Sequence, residues 1–190
     1  QRAEAYREKL EAVNQRLKDT NVDLQRLAVL DPLSGLPNRT LIMDRLEQAL
    51  REAKRFGHGI ALIMIDLDHF KEVNDTLGHG VGDELLIAVG NALRSGLREP
   101  DTLGRLGGDE FAVVLPHADR GTALTVVNKL QAVLQHPLSV GDNNFSVDAS
   151  MGVAIYPEHG DDPTVLLRCA DVAMYIAKRN RGEFAVYSSE

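Results

Sequence analysis

The 190-residue chain has a single cysteine, Cys169, so it can form neither an internal disulfide nor a cysteine-rich zinc site. A reducing, cytoplasmic setting is the expectation from that scarcity. No apolar run approaches the ~18 residues that mark a membrane-spanning helix. The opening QRAEAYREKLEAVNQRLKDT is charged throughout and lacks the apolar centre of a secretory signal. Whether a longer parent protein is membrane-tethered is left open by these residues. Positive charge is also short: 21 Lys and Arg face 28 Asp and Glu, giving a net charge of −7. An acidic chain lacks the broad electrostatic footprint of a nucleic-acid binder, so polymeric DNA or RNA is disfavoured as a partner. A single nucleotide is permitted, because local lysines, backbone amides or metal ions neutralise phosphate. None of the six histidines pairs with another, or with the cysteine, at metal-ligand spacing, and no chemistry is assigned to them. There is no internal repeat and no low-complexity tract.

What is present divides at residue 30. In residues 1–29, Tyr6, Leu10, Val13, Leu17, Thr20, Leu24 and Leu27 recur at alternating spacings of four and three. That is the seam of a dimeric coiled coil with one polar interruption, set among Glu, Lys, Arg, Gln and Asn. A chain that opens inside such a helix reads as a piece of something longer, with a sensor domain upstream. Residues 30–190 form the second unit. LDPLSGLPNR breaks the helix with two prolines and a glycine, and TLIMDRLEQALREAKRFG resumes helical spacing. GIALIMIDLD (59–68) is a continuous apolar run ending in acid, which predicts a buried central strand. HFKEVNDTLG predicts a short helix closed by the glycines of GHGVGD, and 83–97 a second helix with Asp83 placed to cap it. Gly107–Gly108 predicts a two-residue hairpin turn with the return strand starting at Asp109. A helix over 119–135, a long strand over 145–157, a helix over 161–180 and a final strand FAVYS complete the order. Helical crossovers combined with an antiparallel hairpin predict an α+β fold: a palm-like, ferredoxin-related mixed sheet flanked by helices.

Asp66 and Asp68 lie two apart at the end of the first strand, on one face. Asp109 and Glu110 begin the hairpin's return. If those strands are neighbours, the carboxylates converge at one sheet edge, where mutual repulsion calls for a cation. Oxygen-only ligands select Mg²⁺ or Mn²⁺ over zinc, and two such ions suit a triphosphate. Taken singly, each acid is better read as a solvated strand-end or turn residue; taken together, at the mouths of two apolar strands, they favour the metal reading.

Five segments then carry a resemblance: DPLSGLPNR, DLDHFKEVNDTLGHGVGDELL, RLGGDEF, SMGVAIYPEHG and ADVAMYIAK, in order over roughly 30–188. The chain resembles the GGDEF-domain diguanylate cyclases, which join two GTP molecules into cyclic di-GMP and release two diphosphates. The resemblance implies Asp66, Asp109, Glu110 and the backbone carbonyl of Leu67 as metal ligands, with Asp109 or Glu110 helping to deprotonate the attacking 3′-hydroxyl. It implies guanine contacts from Asn74 and Asp83, and a nucleotide site completed by Leu33, Phe70, Lys71, Gly107, Gly108, Lys178 and Arg181. GHGVG lacks the lysine and serine of a P-loop, so phosphate contacts are expected from Lys178 and the amides around 68–71. AKRNRGEF departs from the family's usual glycine-arginine order, which leaves the part played by Arg181 open. Arg98 and Asp101 match the RxxD product-inhibition site, with Lys129 or Arg105 as possible helpers. One domain holds one GTP, so a homodimer through the N-terminal helix is implied. The rivals are a non-catalytic receptor for GTP or cyclic di-GMP and a cyclase making cyclic GMP within one nucleotide.

Overall fold

In the strand IALIMIDL the only polar side chain is Asp66, and all eight residues are buried. Such a strand has to lie in the middle of a sheet, covered on both sides. The computed structural model describes residues 13–20, 28–180 and 184–188. Its elements run α1 (Arg39–Phe56), β1 (Ile60–Leu67), α2 (Phe70–Leu77), α3 (His79–Ser95), β2 (Thr102–Gly107), β3 (Glu110–Pro116), α4 (Arg120–Gln135), β4 (Leu138–Val140), β5 (Asn143–Phe145), β6 (Ala149–Tyr156), α5 (Pro163–Arg179) and β7 (Phe184–Val186). Five strands form one sheet in the order β2-β3-β1-β6-β7. Only β6 and β7 are parallel; the other neighbours run antiparallel. The mixed α+β sheet is thus observed, with β1 at its centre and the β2–β3 hairpin forming one side. Residues 13–20 are helical, and Val13 and Leu17 are exposed. The heptad positions Tyr6, Leu10, Leu24 and Leu27 lie outside the described residues.

The alternation of β1 splits the core in two. Ile63, Ile65 and Leu67 pack with Val89 and Leu93 of α3 and Val127 and Leu130 of α4. Ile60, Leu62 and Met64 pack with Leu46 of α1 and Leu166, Ala170 and Met174 of α5. Each such aliphatic contributes roughly 1.5–3 kcal/mol by leaving water. Gly152 sets how closely α5 lies on the sheet: a Cβ there would stand 2.0 Å from the Ala170 carbonyl oxygen and 2.1 Å from the Met174 nitrogen. Lys178, one turn beyond Met174, is delivered to the end of β1 by that approach.

Three expected boundaries are corrected. The helix expected over 83–97 begins at His79 and ends at Ser95, capped by Gly78, so Asp83 is not a cap. The glycines read as a turn are helical because Gly82 is buried against the Asn74 side chain, where nothing larger fits between α2 and α3. In the hairpin, Gly107 pairs with Glu110, so Gly108 and Asp109 form the loop; Gly108, at φ +53°, supplies the left-handed residue. The long strand expected over 145–157 is two strands. β5 pairs with β4 as a separate hairpin, and between β5 and β6 the Asp148 carbonyl turns to accept the Asp68 N–H at 2.9 Å.

Candidate active site

Asp66 shares the alternation of Ile60, Leu62 and Met64, so it emerges on the face covered by α1 and α5. Its register partners are Glu110 on β3 and Ser150 on β6, and directly opposed residues on one face are near neighbours. The Leu67 N–H donates to the Asp109 carbonyl at 3.2 Å, which ties the hairpin loop to the end of β1. The register and this bond bring Asp66, Asp109 and Glu110 to the same end of the β1–β3 pair. Lys178 completes the group: its Nζ donates to Asp66 Oδ1 at 2.5 Å. Asp66 is buried while the Lys178 side chain is half exposed.

The charges in this corner do not balance. Burial and then the charge of Asp66 hold the Asp109 carboxyl above its ordinary value. Burial raises Glu110 as well, followed by the charges of Asp66 and Asp171, with Arg39 opposing. The hydrogen bond to Asp66 raises the Lys178 ammonium, and the fields of Asp66, Asp68 and Asp109 act the same way against burial. An all-oxygen donor set with surplus negative charge fits a hard divalent cation in kind. Among the described residues no set of three or more His, Cys, Asp or Glu side chains is gathered as a ready-made metal-binding group; the cation that Asp66 touches is Lys178.

A second ion pair fixes the loop that carries Asp109. Arg105 Nη1 donates to both Asp31 oxygens, at 3.0 and 2.8 Å, while its Nε and Nη2 donate to the Gly108 carbonyl at 3.0 and 2.7 Å. One guanidinium thus clamps the peptide that precedes Asp109 to the DPLSG loop. Asp31 also accepts from the Ser34 N–H and hydroxyl at 2.8 and 2.6 Å. Every nitrogen of the Arg105 guanidinium is engaged in this clamp.

Ser150, absent from the sequence expectations, is buried and its hydroxyl donates to Asp68 at 2.9 and 3.2 Å. Ser150 opens the SMGVAIYPEHG segment, but only the β1–β6 register reveals what its hydroxyl touches. Asn74 lies on α2 with its Oδ1 buried and without a hydrogen-bond partner, and Asp83 is exposed on the second turn of α3. Phe70, buried, and Lys71, exposed, open α2 directly after the Asp68–His69 turn. Leu33 packs partly buried against the core face shared with α3. Gly107 and Gly108 are exposed at the hairpin tip. Arg181 lies outside the described residues.

A family model described as diguanylate cyclase, GGDEF domain, matches residues 28–183. The chain belongs to the GGDEF domain family. Diguanylate cyclase TpbB of Pseudomonas aeruginosa is 45% identical over 177 residues, which is 92% of this chain but 41% of that protein. The chain therefore spans about two fifths of the length of that relative. The crystal structure of the TpbB GGDEF domain superposes with a TM-score of 0.80 at 42% identity, covering 83% of this chain and 99% of that one. The coiled coil and GGDEF domain of DgcB from Caulobacter crescentus, in complex with c-di-GMP, reaches 0.83 at 28% identity over 100% of both chains.

In this GGDEF domain the RxxD residues form a closed turn. Asp101, buried, accepts from the Arg98 N–H at 2.9 Å and from its guanidinium at 3.3 and 3.1 Å, while Arg94 holds the Asp101 carbonyl at 3.0 Å. The Arg98 side chain is half exposed. Lys129 is exposed on α4.

Proposed function

We propose that this GGDEF domain is a diguanylate cyclase that makes cyclic di-GMP from two GTP molecules, each held by one of two facing domains. The observation that carries the reading is the meeting of Asp66, Asp109 and Glu110 beside Lys178 at the β1–β3 edge. The 3′-hydroxyl oxygen of one nucleotide attacks the α-phosphorus of the other. The α–β anhydride bond breaks, the hydroxyl proton is lost, and diphosphate leaves; the same step in the reverse sense closes the ring.

Asp66, Asp109, Glu110 and the Leu67 carbonyl would hold Mg²⁺ or Mn²⁺, one or two ions per nucleotide, and such a cation neutralises phosphate charge and acidifies a bound hydroxyl. The rest falls to the chain's own groups. Burial and neighbouring charge make Asp109 and Glu110 better proton acceptors than free carboxylates, since a raised pKa is a raised basicity. The Arg105 clamp holds the Asp109 loop in one position. Lys178 brings positive charge to the phosphates, as do the amides opening α2. Asp83 is exposed where a carboxylate can accept from guanine N1–H and N2–H, a pair adenine does not offer. Asn74 stands across the α2–α3 contact beside it.

Two half-sites are needed, and the heptad pattern of residues 1–29 supplies a means of raising their effective concentration. Removing those residues is expected to make specific activity fall on dilution. The c-di-GMP complex of DgcB supports product binding in this family, and Arg98, half exposed, is the group here that can turn outward to a guanine edge. Incubation with GTP and Mg²⁺ followed by product mass tests the reading. Cyclic di-GMP is expected from the wild type and none from Asp109→Ala. Binding without turnover would favour the receptor, and cyclic GMP the intramolecular cyclase.

A further inference from the structure

In the proposed reaction Asp66 has to serve two cations in turn. In the structure its Oδ1 takes the Lys178 ammonium at 2.5 Å. A divalent ion on the same carboxylate would lie within a few ångströms of that ammonium, and like charges so close repel strongly. Lys178 therefore has to leave Asp66 when a divalent ion arrives. Its side chain is half exposed on a flexible stem, so it is free to swing.

The place for it to go is already built. Asp68, Ser150 and Lys178 line one cleft of about 760 Å³. The Ser150 hydroxyl donates to both Asp68 oxygens, at 2.9 and 3.2 Å, and Ser150 is only 2% exposed. A hydroxyl locked in the sheet holds the carboxylate in one orientation. The Asp68 N–H is itself fixed to the Asp148 carbonyl at 2.9 Å, so the backbone of this turn is anchored too. Asp68 keeps the remaining lone pairs of both oxygens for another donor.

We propose that Asp68, held by Ser150, is the station that receives the Lys178 ammonium when a divalent ion takes Asp66. Asp68 and Ser150 are then positioning residues that act through Lys178. The inference rests on the reading of Asp66 as a cation ligand.

The test is a double-mutant cycle on Mn²⁺ affinity, with the metal alone added to the full chain and free Mn²⁺ read by electron paramagnetic resonance. Lys178→Met removes the competitor and is expected to tighten Mn²⁺ about tenfold. Asp68→Asn strands Lys178 on Asp66 and is expected to weaken Mn²⁺ about tenfold in the Lys178 background, but less than about twofold in the Met background. Ser150→Ala should move affinity in the same direction as Asp68→Asn, and Ser150→Thr, which keeps the hydroxyl, should restore it. An equal effect of Asp68→Asn in both backgrounds, or no gain from Lys178→Met, overturns the proposal. Wild-type GTP turnover separates the failures: cyclic di-GMP formed without coupling removes this inference alone, while no product and no Mn²⁺ bound by any variant removes the reading of Asp66 as well.

Discussion

Asp31 and Asp66 each meet a basic side chain from a distant part of the chain, and the two pairs differ in how fully their charge is answered. Asp31 accepts from the Ser34 N–H and hydroxyl and twice from Arg105. Burial pushes its carboxyl up, but those hydrogen bonds outweigh burial and hold it below the ordinary range. Asp66 accepts from one ammonium and stands beside Asp109 and Glu110, both held above their ordinary values. The first pair is complete as it stands and keeps a loop in place. The second leaves negative charge in surplus in a partly buried corner, an arrangement that costs stability and is typical of sites awaiting a ligand. An ion pair with every acceptor used is architecture; an unbalanced one beside it marks chemistry.

The largest expected break falls on the unbalanced side. Asp66→Asn or Asp109→Asn should lower cyclic di-GMP formation by about 10³-fold while leaving the fold intact, measured by product quantification beside circular dichroism. On the balanced side the order reverses. Arg105→Ala should cost about 2 kcal/mol of stability by leaving Asp31 with only the Ser34 donors and taking the guanidinium from the Gly108 carbonyl, read by urea unfolding, and its loss of activity should follow from loosening the Asp109 loop. Arg98→Ala removes a half-exposed partner from buried Asp101, which keeps its bond from the residue 98 N–H. About 1 kcal/mol is expected, together with relief of inhibition when cyclic di-GMP is added to the assay. The smallest effect sharpens the contrast through pH. Asp109 is raised in the folded chain, so the fold binds more protons than the unfolded state between 3.8 and its folded pKa, and stability falls as pH rises through that window. Asp109→Asn should therefore raise the melting temperature at pH 7, by no more than about 2 °C, and the gain should vanish below pH 3.8, where the carboxyl is protonated in both states.

The unbalanced site was largely legible in the chain, the balanced one was not. IALIMIDL announces a central strand because nothing polar interrupts it before Asp66, and the acids of RLGGDEF stand out against two apolar runs. Their meeting needed only that β1 and β3 be neighbours. Arg105 and Asp31 are 74 residues apart with no motif joining them, so their clamp appears only when the hairpin folds over the DPLSG loop. Ser150 is hidden for the same reason. The α3 boundary was misread because glycines signal turns locally, while Gly80 and Gly82 are drawn into the helix by the packing of Gly82 on Asn74. The hairpin turn slipped by one residue because two adjacent glycines do not say which of them starts the loop, and the bulge between Arg105 and Gly107 decides it.

A crystal structure of the chain with Mg²⁺ and a non-hydrolysable GTP analogue tests the central claim most directly. The account predicts Asp66 released from Lys178, with the Asp66 and Asp109 carboxylates on one cation that also binds the triphosphate. A nucleotide bound elsewhere, with Lys178 still on Asp66 and no ion between the two aspartates, would contradict it.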